Sequence, residues 1–575
     1  MKLTTLVLAM TLLAISCAPQ PTEDAKFESL AKNYIEQLLK TKPEWATGLG
    51  DHRYDGELGD YTKAGVDADR ALNARYLDSL RGIAPAQLSQ VNRIDYEILK
   101  NSLEGWIFSI DTLREYEWNP LYYNPGGAIY GLIARDFAPL KDRLESVRQR
   151  LEKLPSVLAA ARQNLQHPPM IFTETAILQN PGTISMVRDE LQSFIDQVPE
   201  MKEKLVPAQD AAVAALEAYG TWLAQHLKPR SDGDFRIGDM KFRRKLYYTL
   251  ESDLSKEEIL RRAQDDLKKT QETMYETALP LYKKYFPGMA DEATTGNRKV
   301  VIRKVLDKLA EDRPTNETIV GLARQDLDEC TAFVGSQNLV TVPAEPVKVI
   351  VMPEFQRGVA VAYCDPAGPL EKGGETFYSI APTPKDWTAA RAVSFFREYN
   401  NYMLKNLTIH EAMPGHYLQL AHANTFAAPT LVRAIFSSGT FIEGWATYAE
   451  QLMAEQGFGG PEVHMQQLKM RLRLIINAII DQKIHTEGMT EKDAVALMMD
   501  EGFQEEGEAS GKWRRACLSS TQLSTYYVGN TEINDIRNGY RAVHGEKADL
   551  KAMHDAMLAY GSPAPKYVNM MLGLK

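Results

Sequence analysis

Apolar residues recur at helical spacing along most of the chain. They step by three and four from Phe27 to Leu39, and again at Leu144, Val147, Leu151, Leu154 and Leu158, where Pro155 predicts a kink because it has no amide hydrogen. Ser255 and Glu258 form a capping box before a helix predicted to run to about Ala278. Leu468, Leu472, Ile475, Ile476 and Ile479 give a dense apolar face to a helix ending near His485. Residues 346–384 break this habit, with β-branched and aromatic runs separated by Pro and Gly. They predict three short strands, VKVIVM, VAVAYC and ETFYSI. Such a sheet is either purely structural or an edge to which an extended peptide adds through main-chain hydrogen bonds. Segments such as 227–238 read as loops, and without long linkers or repeats residues 18–575 read as a single, mainly α unit.

The N-terminus changes the compartment. Lys2, an apolar stretch from Leu6 to Ile15, then Ser16 and Cys17 resemble a signal peptide over residues 1–17, with the cysteine of a bacterial lipoprotein. The apolar run falls short of the roughly 20 residues needed to span a bilayer. The expectation is an exported, periplasmic protein anchored to a membrane only by a lipid on Cys17; an ordinary cleaved signal with an incidental cysteine is the alternative. Acidic residues exceed basic ones, 76 against 66, which argues against nucleic acid as the main partner. Cys330, Cys364 and Cys517 are too few and too scattered for a disulfide framework or a cysteine zinc site.

The chemistry centres on TIHEAMPGHYLQ at 408–419. Zinc-peptidase helices usually carry H-E-x-x-H, whereas His416 here follows His410 by six residues. On an unbroken helix that spacing turns the second imidazole about 240° away from the first. Pro414 and Gly415 lie between them, the residue types that interrupt a helix. A bulge, or a new helix starting at Pro414, would return both imidazoles to one metal. A third ligand is expected on a later helix, and FIEGWATYAEQLM supplies Glu443, with Glu450 as the rival or as a solvated or supporting group. Two histidines and one carboxylate leave a zinc position open, the catalytic pattern, with Glu411 placed to act as general base.

HEAMPGHYLQ, the strand region before it and EGWATYAE after it resemble the bacterial family catalogued as domain of unknown function 885. Its members are similar in general plan to the helical oligopeptidases neurolysin and angiotensin-converting enzyme. ATGLGDHRYD, DQKIH, QLSTYYVG and INDIR extend the resemblance through most of the mature chain. It implies a large two-lobed helical metallopeptidase-like fold with a central cleft and a zinc-site segment at 395–455. It also implies one Zn2+ per chain on His410, His416 and Glu443, Glu411 as general base, and Tyr526 as oxyanion donor, with Tyr527 as the neighbour that shares this candidacy. Arg537 is a candidate for gripping a substrate carboxylate, and Asp481 and His485, one helical turn apart, for pairing near the site. Two positions depart from the family pattern: Tyr417 stands where a further histidine is common, and Ser520-Thr521 where Pro-Gly is common. The expected function is hydrolysis of peptide bonds in short peptides. The alternatives are a zinc amidohydrolase acting on a non-peptide or cell-wall amide, and an inactive peptide-binding lipoprotein.

Overall fold

A computed structural model describes residues 21–289, 297–352, 361–371, 373–385, 387–545 and 547–574. The signal segment with Cys17, and the start of the strand read at VAVAYC, lie outside them. The chain is mainly α. The first amphipathic stretch forms Glu23–Thr41, burying Phe27, Tyr34, Ile35, Leu38 and Leu39. The second runs from Leu140 to Asn164 straight through Pro155, so that proline ends no helix. Ser255 caps α1 (Lys256–Tyr285) by accepting from the Glu258 amide, and the helix continues past Ala278 and Pro280.

The site is built from the C-terminal half. There α2 (Asn401–Glu411) and α3 (His416–Ala423) flank the Pro-Gly pair, followed by α4 (Gly439–Glu455), α5 (Gly460–Glu487), α6 (Glu506–Leu518) and α7 (Ser524–His544). Leu468 and Leu472 of α5 pack with Met274 of α1, and Ile475 and Ile479 with Ile259 and Ala263. Full burial of such a side chain stabilises the fold by about 1.5–3 kcal/mol. Helices α4 and α7 approach closely where two glycines meet. A Cβ on Gly444 would lie 2.5 Å from the Gly529 carbonyl carbon, and one on Gly529 would lie 2.0 Å from the Thr440 carbonyl oxygen. Any larger residue would push these helices apart, and with them Glu443 and Tyr526.

The strands are β1 (Lys348–Val351), β2 (Ala362–Asp365) and β3 (Phe377–Ile380), in the spatial order β1-β3-β2. β1 runs parallel to β3, pairing Lys348 with Phe377, and β2 antiparallel, pairing Asp365 with Phe377. The buried Tyr378 hydroxyl hydrogen-bonds the Thr408 hydroxyl of α2 at 2.9 Å, fixing the sheet to the motif helix. Edge strand β2 therefore borders the site. The ATGLGDHRYD segment serves docking: Leu49 accepts from the Leu370 amide, and the His52 ring bridges Asp55 and Glu371 at 2.9 and 2.8 Å. Among the described residues the three cysteines are free, and no helix is long and apolar enough to cross a membrane.

Candidate metal centre

The spacing fault is repaired by a break. Helix α2 stops at Glu411, the chain turns through Ala412–Gly415, and α3 begins at His416, two residues later than a start at Pro414. The turn is held by the Gly415 amide donating to Ile409 O at 2.9 Å, and by the Trp445 indole N–H donating to Pro414 O at 2.8 Å. Only glycine fits at 415. A Cβ there would meet the His410 carbonyl oxygen at 1.9 Å and that of Ile409 at 2.3 Å.

The two imidazoles consequently face each other edge to face, with ring centroids 4.6 Å apart. Glu443, at the start of the second turn of α4, points between them, with Oε2 3.6 Å from His410 Nε2 and 3.5 Å from His416 Nε2. One ligand atom from each residue lies within 4.8 Å of the others. These separations exceed an ordinary hydrogen bond. They match instead the edge of a zinc tetrahedron, about 3.3 Å for bonds of about 2.05 Å. Glu443 Oε2 is buried with no hydrogen-bond donor, an expensive state for a carboxylate that a cation would relieve. The nitrogen–nitrogen–oxygen set thus fits a divalent first-row metal. Burial opposes ionisation of Glu443, but the two imidazoles, when protonated, outweigh it and hold the carboxyl far below the usual range.

Glu450 supports the first ligand. Its Oε1 lies 2.7 Å from His410 Nδ1, and since a carboxylate can only accept, that nitrogen carries the hydrogen and Nε2 presents its lone pair to the centre. The Asn406 amide donates to the other oxygen at 2.6 Å. Only 1% of Glu450 is exposed, so it backs the His410 ring and is not solvated. Glu450→Gln keeps the shape and removes the charge; it is expected to weaken zinc binding about 10- to 100-fold in a chelator competition titration. Unchanged affinity would show that Glu450 does not tune the ligand.

Glu411 Oε2 accepts from the Cys364 amide of β2 at 2.9 Å. Burial raises its pKa while the neighbouring imidazoles oppose the rise, so the carboxyl binds a proton more readily than usual. Tyr526 shares with His410 and Glu411 a cavity of about 160 Å³ that also reaches Arg515. Its hydroxyl oxygen accepts from Arg515 Nη2 at 3.0 Å, which leaves the hydroxyl hydrogen free to donate. Tyr527 faces the other way, donating to Asp266 of α1 at 2.9 Å. Arg537 pairs with Glu455 at 2.7 Å and lies over the Tyr448 ring. It is absent from the cavity wall.

Asp481 and His485 serve the loop ahead of Tyr526 and make no hydrogen bond to each other. Asp481 accepts from the Thr521 and Ser524 amides and the Ser524 hydroxyl, while His485 Nε2 donates to Ala516 and Ser519 carbonyls. Thr521 adopts φ +69°, the left-handed conformation that favours glycine. The loop therefore keeps a glycine-like shape at the position where the family commonly has Pro-Gly. Tyr417 points its hydroxyl at the Glu345 carbonyl, outside the metal ligands. Sequence reasoning passed over Arg473, Glu508, Lys512 and Arg515, all in the cavity wall. The i, i+4, i+7 spacing of the last three on α6 was the available signal, and it is also the spacing of a solvated face.

A family model described as bacterial protein of unknown function (DUF885) matches residues 43–571. The chain belongs to this family. Two solved structures share the fold of this DUF885 protein. A protein of unknown function from Shewanella oneidensis, assigned as a lipoprotein, is 35% identical; the match covers 95% of this chain and 99% of that one, with a TM-score of 0.80. A protein from Colwellia psychrerythraea with the same assignment is 18% identical, covers 96% and 99% of the two chains, and has a TM-score of 0.79. No curated protein matches the chain.

Proposed function

We propose that this protein is an exported zinc-dependent hydrolase that cleaves peptide bonds in short peptides. The observation that carries the reading is the convergence of His410 and His416 on the buried, donorless Glu443 oxygen. His410, His416 and Glu443 would hold the zinc ion, whose charge would acidify a water molecule and polarise a carbonyl. Glu411, steadied by the Cys364 amide, takes a proton from the attacking water and delivers it to the leaving amine. The Tyr526 hydroxyl, oriented by Arg515, donates to the oxygen on which negative charge develops. Edge strand β2 offers an extended peptide main-chain partners beside Glu411. The cleft between two lobes implied by the resemblance to helical oligopeptidases would restrict access to short substrates. The Ser16-Cys17 junction and the lipoprotein assignment of the Shewanella relative support a lipid anchor at Cys17 and a periplasmic location.

The test is metal content by mass spectrometry of the chain from Ala18 onward, after zinc loading and exhaustive dialysis. About one zinc per chain is expected, falling to near zero in His416→Ala, because structural and catalytic zinc sites need their full ligand set. Absence of retained metal in the unaltered protein would leave a peptide-binding lipoprotein as the better reading.

A further inference from the structure

The cavity beside the candidate metal centre is lined by Arg473, Lys512 and Arg515 as well as by Glu411, Glu450 and Glu508, and not every cation there has a close carboxylate partner. Glu398 is occupied by Lys469 at 2.8 Å and by Arg473, with which it makes a close ion pair. Glu508, to which the Tyr399 hydroxyl donates at 3.2 Å, faces Arg473 at 3.6 Å and Lys512 at 3.8 Å. Both separations are too long for a hydrogen bond. Lys512 is only 8% exposed, and Glu508 is its one ion-pair partner among the described residues. Arg515, one turn further along α6, spends its hydrogen bonds on neutral partners, the Gln522 side-chain oxygen at 2.9 Å and the Tyr526 hydroxyl. Arg473 Nε is buried without an acceptor.

A largely buried lysine with no hydrogen-bond acceptor closer than the 3.8 Å to Glu508 favours an anion beside it. Burial, aided by the nearby Arg515 and Arg473 charges, pushes Lys512 down to about 8, while Glu508 and Glu398 oppose the fall. An anion in the cavity would give Lys512 an acceptor, with the exposed Arg515 guanidinium three residues along the same helix as a second cation in the wall. The wall also contains Glu411 and Tyr526, so such an anion would sit next to the bond being attacked. At about 3.3–3.6 Å of chain per residue, a group held there lies within one or two residues of that bond. A peptide has one carboxylate regardless of its sequence, at its C-terminus.

We propose that Lys512 and Arg515 form a carboxylate pocket that holds the C-terminal carboxylate of the substrate, so that one or two residues are released from that end. This rests on the hydrolase reading for the word substrate, while the pocket itself does not. The experiment is calorimetric titration of the zinc-loaded Glu411→Gln protein with N-acetyl-trialanine, its C-terminal amide, and the amide carrying a central glutamate. The free acid is expected to bind about ten-fold or more tightly than the amide, as for a charged hydrogen-bonded pair. That preference should survive removal of zinc by a chelator and shrink to about two-fold or less in Lys512→Met. The acid–amide comparison needs no change at 512, so it stands even if that variant fails to fold. Equal binding of acid and amide, or a preference that vanishes with the zinc, overturns the pocket. Binding of the glutamate amide as tightly as the acid, lost in Lys512→Met, overturns the C-terminal assignment in favour of an acidic side chain. A wild-type protein that hydrolyses none of the peptides, with the acid preference intact, would sink the hydrolase reading and leave the pocket supported.

Discussion

Glu411→Gln is expected to lower kcat by about a hundred- to ten-thousand-fold, the usual contribution of a positioned general base, while the zinc stays bound. The amide is isosteric and its oxygen can still accept from the Cys364 amide, so the strand–helix contact at 2.9 Å survives. What is lost is the ability to take a proton and return it. Burial favours the protonated carboxyl and the two imidazoles oppose it, with a net shift upward from the usual carboxylate range. Steady-state kinetics on a short peptide, with zinc content measured on the same sample, reads both halves. An unchanged kcat would remove Glu411 from the chemistry, and a lost metal would make it a structural residue.

Gly415→Ala should dismantle the metal centre without touching a ligand. The added methyl would lie 1.9 Å from one backbone oxygen and 2.3 Å from another, and neither can move unless the α2–α3 junction opens. Opening it displaces His416 relative to His410, and ligands must be held within about 0.5 Å to act together. Zinc affinity is expected to fall by on the order of 100-fold or more, with stability lowered by about 1–3 kcal/mol of forced backbone strain. Gly507→Ala is the control, because a Cβ there meets nothing within 4 Å, and its zinc content should be unchanged. Competition with a chromophoric chelator and thermal unfolding measure the two effects. Full zinc affinity in Gly415→Ala would show that the break is not what brings the histidines together.

The two glycine positions show how far local sequence carries the argument. Pro414 and Gly415 could be read as a helix interruption because their chemistry is local: one lacks an amide hydrogen, the other lacks a Cβ. Gly444 and Gly529 carry no such local signal. Their role appears only when α4 and α7 cross, with 84 residues of chain between them. The tyrosine pair makes the same point on one helix. Adjacent residues on α7 diverge by about 100°, so Tyr526 enters the cavity with Arg515 while Tyr527 reaches Asp266. No property of the dipeptide itself distinguishes them.

By itself the sequence determined the mainly helical architecture, the small sheet beside the motif, family membership and the set of histidines and glutamates able to meet. These depend on periodicity, capping and residue chemistry, which act over a few positions. Only the tertiary structure decided that Glu443 faces both imidazoles and Glu450 backs one of them. It likewise turned Arg537 toward Glu455, and Asp481 and His485 toward a loop. Lys512, in a stretch as polar as EGEASGKWRRACL, became buried in the cavity wall, while Arg515 borders the same cavity and stays exposed. Those assignments depend on which faces of distant helices pack together, and burial, not residue type, sets what a charged side chain must pair with.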